Sequence, residues 1–227
     1  MGVTLPREQV PAIQARIIQQ ANICGVPAIT ATQMLESMTF HRQPTRAEVT
    51  DVYGAIIAGS DAVMLSGETA SGHYPVEAVE EMDRICCAAE EVLKGHHHPA
   101  LHIVGREGLS DCMAEATATL VDNIKAPCVI GCSLSGSTLR SLSAARITVP
   151  VYGVVSSDRV LRQLLLHRGL SIVTMPLRKH LVELVNPMLD RLKAEKIILS
   201  GDRVVIVAGE IDDQGRSTYL AKVYVIN

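Results

Sequence analysis

The sequence has almost no aromatic side chains: it contains no tryptophan and one phenylalanine among 227 residues. A core without large rings must be built from aliphatic side chains, which is typical of α/β proteins with strands rich in valine, isoleucine and leucine. A basic excess is also missing, since the formal net charge is −3, so no positive field points to nucleic acid. No apolar run approaches the roughly 18 residues of a membrane span.

The amino terminus, MGVTLPREQ, has neither the basic region nor the apolar region of a signal peptide. Cysteine pairs of the CxxC type and cysteine spacings typical of zinc sites are also missing. We therefore expect a cytoplasmic protein whose thiols are reduced and packed in the core, rather than a redox switch or a metal centre. The six cysteines are Cys24, Cys86, Cys87, Cys112, Cys128 and Cys132.

What the chain does contain is a regular alternation of short apolar runs and amphipathic stretches. Ala28–Ala31 and Ala62–Leu65 read as buried strands, and Arg46–Ala58 lies between them with helical spacing. Thr45 and Glu48 have the spacing of a capping box, which predicts that this helix begins directly after Thr45. Strand, helix and strand in this order predict two successive βα units with parallel strands.

Polar side chains follow both predicted strands. In folds built from βα units, ligands bind beyond the carboxyl ends of the strands. Small hydroxyls and carboxylates at that edge suit a phosphate or carboxylate substrate with a metal ion nearby. The residues concerned are Thr32, Gln33 and Glu36 after the first strand, and Ser66, Glu68 and Thr69 after the second.

A long helix is predicted from Tyr74 to Leu93, with Val76, Val79, Met82, Ile85 and Cys86 on its inner face. It leads into KGHHHP, where three adjacent histidines suggest either a metal site or a solvated linker. The linker is favoured, because consecutive residues on an extended chain point in different directions and rarely converge on one ion.

The βα pattern restarts at Leu101 and predicts a three-layer α/β domain of about five strands. Its last two strands are close in sequence and should pair as an antiparallel hairpin. We expect Ser110 to cap the first helix of this half, and a second helix over Leu134–Ala145 to begin in the SLSGST segment. Hydroxyls and free backbone N–H groups at a helix amino terminus can bind phosphate. The domains predicted from these patterns are residues 1–95, a linker at 96–100, and residues 101–227.

Three motifs carry a resemblance to a known family. ATQMLESM at 31–38, PTRAEVTDV at 44–52 and MLSGETA at 64–70 resemble pyruvate kinase in order and spacing. SLSGST and the closing KVYVI extend the resemblance through the second half. It implies that the first half corresponds to the last two units of a (β/α)8 barrel. The second half then corresponds to the C-terminal regulatory domain, with a mostly parallel five-stranded sheet.

The resemblance also implies an activity and roles for particular residues. Pyruvate kinases transfer a phosphoryl group from phosphoenolpyruvate to ADP, with Mg²⁺ and usually K⁺, and protonate the enolpyruvate that results. Thr32 and Ser66 would take part in the proton relay, and Glu68 would support this edge of the barrel. A sugar-phosphate effector would bind in the regulatory half to Ser133, Ser135, Gly136, Ser137 and Thr138.

In this family a lysine and two metal-binding carboxylates precede the matched region, so most ligands for Mg²⁺ and K⁺ are expected to be absent from this chain. The expectation is a part of a pyruvate kinase that is inactive alone, in which the strand residues Ile29 and Val63 face no partner strands. Members of the family are usually tetramers, so a homo-oligomer is expected. The alternatives are a non-catalytic module that binds phosphosugars and one half of a split enzyme.

Overall fold

The computed structural model describes residues 6–93, 108–175, 181–211 and 217–227. The chain forms two compact units, Met1–Leu101 and His102–Asn227. The predicted linker at 96–100 and its three histidines lie outside the described residues. In the part that is described, no helix is long and apolar enough to cross a membrane.

The first unit contains two parallel strands among helices. Strand β1 spans Ile29–Ala31 and β2 spans Ala62–Met64, and the register pairs Ile29 with Ala62 and Ala31 with Met64. The predicted parallel pair is therefore confirmed. Two 3₁₀ turns, Arg7–Gln9 and Glu36–Thr39, accompany the helices α1 (Val10–Ile23), α2 (Arg46–Ile57), α3 (Gly67–Ala70) and α4 (Pro75–Leu93).

The capping box at the start of α2 is confirmed in both directions. The Glu48 N–H donates to Thr45 Oγ1 at 3.3 Å, and the Thr45 N–H donates to Glu48 Oε2 at 2.7 Å. Two of the N–H groups that a helix start leaves unpaired are thereby satisfied, which is why α2 begins at Arg46.

The predicted inner face of α4 is wrong at its amino-terminal end. Val76 and Val79 are 65% and 53% exposed, and the residues that are buried include Ala78 and Met82. A step of three residues turns the helix by about 300°, so repeated steps of three drift round the helix. The core side instead follows mixed steps of four and three, through Ala78, Met82, Ile85 and Ala89.

The strands of the first unit expose one of their two faces in the described part of the chain. Ile29 is 47% exposed, as predicted, and Met64 is 43% exposed. The prediction for Val63 is wrong, because this side chain packs against the buried core of the unit. Alternate residues of a strand point to opposite faces, so Val63 and its register partner Thr30 share the buried side.

The second unit is a five-stranded sheet between helices, and the predicted antiparallel hairpin at its edge is confirmed. The strand order is β5-β4-β3-β6-β7, parallel except for the last pair. The strands are β3 (Val129–Cys132), β4 (Val151–Val155), β5 (Leu170–Thr174), β6 (Arg203–Ile211) and β7 (Ser217–Val225). The helices are α5 (Leu109–Ile124), α6 (Ser137–Ala144), α7 (Asp158–Leu164) and α8 (Leu181–Ala194).

Each face of this sheet has its own aliphatic core, which confirms the three-layer arrangement. Residues of α8 pack on one face, and residues of α5, α6 and α7 pack on the other. Leu139 of α6 lies over Gly131 and Gly153, which are register partners on β3 and β4. A side chain at either glycine would collide with Leu139, so the two glycines let α6 approach the sheet closely.

Two helix starts in this unit differ from the prediction. The cap of α5 is Gly108 rather than Ser110, and the Ser110 hydroxyl donates to Ser141 Oγ on α6 at 3.0 Å. Helix α6 begins at Ser137 rather than Leu134, because Gly136 has a left-handed backbone (φ +78°) that is incompatible with a helix.

The cysteines are only partly core residues. Cys128 and Cys132 are buried as predicted, whereas Cys24, Cys87 and Cys112 are exposed, which corrects the expectation for these three. Burial, together with the negative charge of Asp202, raises the pKa of the Cys128 thiol to about 12. Because the thiolate is the reactive form, Cys128 is inert at neutral pH.

Candidate functional site

The carboxyl ends of β1 and β2 bring two predicted site residues to one edge of the sheet. Thr32 directly follows β1, and Ser66 lies two residues after the end of β2. Because the strands are parallel and Ala31 is the register partner of Met64, the segments that leave them start at the same level. The Thr32 side chain is exposed and Ser66 is half-buried, so both hydroxyls belong to the edge rather than to the core.

The backbone at Thr32 is strained. Thr32 has φ +72° and the next residue, Gln33, has φ +55°. This left-handed region is uncommon for residues other than glycine and least favourable for a β-branched side chain such as threonine. Such residues cost about 1–3 kcal/mol each and persist only where the surroundings hold them in place. The sequence contains no glycine or asparagine here that would have predicted the turn.

Glu68 joins the two loops that follow the strands. Its side chain is 2% exposed. Oε1 accepts the Leu35 N–H at 3.1 Å, and Oε2 accepts the Ser66 N–H at 2.7 Å. One buried side chain therefore fixes the loop after β1 relative to the loop after β2.

A second carboxylate, that of Glu48, binds the same loop. Glu48 Oε1 accepts the Ser37 N–H at 2.7 Å, and Oε2 accepts the Ser37 hydroxyl at 2.6 Å. Oε2 also accepts both Thr45 donors of the capping box. Partial burial acts to raise the pKa of Glu48, but the hydrogen bonds from Ser37 and Thr45 outweigh it and the pKa is lowered. Sequence reasoning found the contact with Thr45 and missed the contact with Ser37, which lies 11 residues away.

The loop after β2 is also fastened to the Glu36–Thr39 turn through the backbone. The His73 N–H donates to the Thr39 carbonyl at 2.9 Å. At Gly72, any side chain would collide with the Glu68 backbone and with Thr39 Cα. Glycine at position 72 is therefore what allows the two loops to come this close.

The described residues do not form a metal site by themselves. No group of three or more histidine, cysteine, aspartate or glutamate side chains converges in the described ranges. Glu68, which lies at the relevant edge, uses both oxygens on backbone N–H groups. The donor set of the described residues therefore does not fit Mg²⁺ or K⁺.

In the second unit, the SLSGST segment, residues 133–138, presents two hydroxyls at the start of α6. Ser135 and Ser137 are exposed, and their Oγ atoms lie 3.0 Å apart. Ser133 and Thr138 are 5% and 4% exposed, so these two hydroxyls face the protein interior. Arg140 Nη1 donates to the Ser135 carbonyl at 3.4 Å, which brings a positive charge next to the segment. Of the five predicted effector residues, the buried Gly136 supplies the left-handed turn.

Comparison with known families assigns both halves of the chain. Residues 1–79 match the family model described as "Pyruvate kinase, barrel domain". Residues 111–224, half of the chain, match the model described as "Pyruvate kinase, alpha/beta domain".

Individual relatives and solved structures agree with this assignment. Pyruvate kinase of Geobacillus stearothermophilus is 38% identical over 230 residues, which cover 100% of this chain and 39% of the relative. The crystal structure of a pyruvate kinase from Cryptosporidium parvum superposes with a TM-score of 0.88 at 31% identity, covering 100% of this chain and 45% of that one. The same organism's pyruvate kinase in complex with ADP gives a TM-score of 0.85 at 32% identity, with 100% and 46% covered. The chain spans about two fifths of the length of the curated relatives.

Proposed function

The chain belongs to the pyruvate kinase family, and we propose that it supplies one part of the active site and the regulatory domain of an enzyme that transfers a phosphoryl group from phosphoenolpyruvate to ADP. The observation that carries this proposal is the pair of loops held together by Glu68 at the carboxyl ends of two parallel strands. In barrels of this kind the catalytic residues lie at that end of the strands.

The reaction divides into two bond changes. The P–O bond between the enol oxygen and phosphorus breaks, and a terminal oxygen of ADP forms the new P–O bond of ATP. The enolpyruvate that remains must take one proton at its methylene carbon to become pyruvate. Positioning and charge stabilisation dominate the phosphoryl transfer, so the residues of this chain are better suited to the proton transfer that follows.

The hydroxyls of Thr32 and Ser66 are the proposed members of the proton relay. A hydroxyl with a pKa far above 7 is a poor acid alone, so we place both in a chain with water. Glu68 accepts the Ser66 N–H and contacts the Thr32 loop at Leu35. Its proposed role is to keep both hydroxyls at the same edge of the sheet.

We propose that the barrel is completed by strands other than β1 and β2. In the described residues these two strands pair only with each other. A two-stranded sheet alone is only marginally stable in water, and the apolar side chains of Ile29 and Met64 are nearly half exposed. Further barrel strands would cover these side chains, and would also supply the ligands for the Mg²⁺ and K⁺ that we propose as cofactors of the complete enzyme.

The test compares two proteins. The first is the purified 227-residue chain, which we expect to show no turnover of phosphoenolpyruvate and ADP. The second is a fusion protein. It joins the part of Geobacillus stearothermophilus pyruvate kinase that precedes the matched region to Met1 of this chain. We expect the fusion to form pyruvate and ATP, because its barrel is complete. We also expect this activity to require added Mg²⁺.

Pyruvate formation is measured by a coupled assay and ATP formation independently. The control is the same fusion in which Ser66 and Thr32 are both replaced, as Ser66→Ala and Thr32→Val. Turnover by the purified chain would refute the need for further strands. An inactive but folded fusion would refute the assignment of a catalytic edge to this chain.

We also propose that SLSGST binds the phosphate group of a sugar-phosphate effector. The exposed hydroxyls of Ser135 and Ser137 lie at the start of α6, beside Arg140. Backbone N–H groups at a helix amino terminus favour an anion at this position.

Binding of glucose 6-phosphate to the full chain tests this proposal by calorimetry, with inorganic phosphate as a second probe. The double substitution Ser135→Ala and Ser137→Ala should weaken binding at least about tenfold, because hydrogen bonds to a charged group contribute about 1.5–3 kcal/mol each. Ser171→Ala, at an exposed position on β5, is the matched control and should bind as the parent chain does. Equal affinity of the double variant and the parent would contradict the proposed site.

A further inference from the structure

Glu48 makes more contacts than the cap of α2 requires. The capping box needs only the reciprocal bonds between Glu48 and Thr45, which are three residues apart. Two additional donors come from Ser37, from its N–H at 2.7 Å and from its hydroxyl at 2.6 Å. These two bonds join the start of α2 to the Glu36–Thr39 turn, so the side chain has a second structural task outside its own helix.

The segment that Glu48 holds is bonded to a second carboxylate. Leu35 donates its N–H to Glu68, and two residues later Ser37 donates its N–H to Glu48. Between and around these contacts, Leu35 and Met38 are 0% and 1% exposed in the core of the unit. The stretch from Leu35 to Met38 therefore has hydrogen bonds to two separate elements and an apolar anchor.

This fixed stretch begins two residues after the strained turn. Thr32 and Gln33 keep their left-handed backbone although neither is a glycine. A conformation of this kind persists only when neighbouring structure holds it. We infer that Glu48 is a positioning residue for the proton transfer of the proposed function, because its bonds to Ser37 keep the Thr32 hydroxyl at the edge where enolpyruvate must be protonated. The inference rests on the proposed function for its chemistry and on the described contacts for its geometry.

Replacement of Glu48 by glutamine should keep the cap of α2 and remove one of the two bonds to Ser37. Oε2 accepts three hydrogen bonds and Oε1 accepts one, from the Ser37 N–H. The amide oxygen of Glu48→Gln should take the position with three donors, so the amide NH₂ faces the Ser37 N–H and that bond is lost. The helix cap and the bond from the Ser37 hydroxyl are thus retained, while the Ser37 N–H loses its acceptor.

The first measurement is residue-resolved amide hydrogen exchange on the 227-residue chain. In Glu48→Gln we expect the Ser37 amide to exchange about tenfold faster or more, because a lost hydrogen bond to a charged group corresponds to at least that factor. Thr45→Ala is the matched control: it removes the threonine hydroxyl from the cap and leaves both Ser37 bonds in place. Unchanged exchange at Ser37 in Glu48→Gln would overturn the inference whether or not the chain is active.

The second measurement is the kinetics of the fusion. Glu48→Gln should lower kcat about tenfold to hundredfold with little change in KM for ADP, because misplacement of a catalytic group by about 1 Å has an effect of this size. The same substitution should have no further effect on kcat in a Thr32→Val background, since the hydroxyl that it positions is already gone.

Three results would contradict the role of Glu48 or the proposed function. If Thr45→Ala lowers kcat as much as Glu48→Gln does, Glu48 acts only through the helix cap and the inference is overturned. Additive effects of Glu48→Gln and Thr32→Val would do the same. A parent fusion without turnover would refute the proposed function instead, and exchange at Ser37 would still decide whether Glu48 holds the segment.

Discussion

Replacement of Glu68 by glutamine should destabilise the first unit by about 1–3 kcal/mol, which is the effect of leaving one buried N–H group without an acceptor. Both oxygens of Glu68 face backbone donors, the N–H groups of Leu35 and Ser66. Glutamine offers one oxygen, so its amide NH₂ must face one of the two donors. Glu68→Ala should be more destabilising, because both donors lose their partner and a cavity remains in a site that is 2% exposed.

Urea unfolding of the full chain, followed by circular dichroism, measures the change in the free energy of unfolding. Glu80→Gln, at an exposed position on α4, is the matched control and should change this free energy by less than about 0.5 kcal/mol. In the fusion, Glu68→Gln should also reduce kcat, by about a hundredfold if the loops after β1 and β2 separate by about 1 Å. Stability of Glu68→Gln equal to that of the parent would show that the N–H group facing the amide NH₂ finds another acceptor.

The parts of the fold that the sequence predicted are those set by local pattern. The capping box of Thr45 and Glu48 is a contact between residues three apart, and the parallel arrangement of β1 and β2 follows from the helix between them. The start of α6 was missed because SLSGST is compatible with a helix as written. Helix α6 begins only at Ser137, because Gly136 before it has a left-handed backbone and packs against Val160 and Leu164 of α7.

The location of the candidate site could be predicted from the sequence, but the hydrogen bonds that hold its loops could not. Thr32 and Ser66 follow strands, and the carboxyl ends of parallel strands meet at one edge. The bonds that organise this edge join residues 33 and 11 positions apart, Glu68 with Leu35 and Glu48 with Ser37. No periodicity or spacing rule encodes contacts of that range, because they depend on how α2 and α3 pack around the loop.

The strained turn at Thr32 allows stability and catalysis to be changed in opposite directions. A left-handed conformation costs a residue with a side chain about 1–2 kcal/mol, and φ at Thr32 is +72°. Glycine removes this strain, although its freedom in the unfolded chain offsets about 0.5–1 kcal/mol. Thr32→Gly should therefore stabilise the first unit by up to about 1 kcal/mol while it removes the hydroxyl.

In the fusion, Thr32→Gly should lower kcat by about 10²–10⁴-fold, the range associated with a positioned group in proton transfer. Thr32→Val keeps the β-branched shape and the strain, so it should lose the same activity without gaining stability. Thr32→Ser keeps the hydroxyl and should retain most of the activity. Urea unfolding and steady-state kinetics on these three variants separate the two effects, because a turn that serves structure alone would make the glycine variant both more stable and fully active.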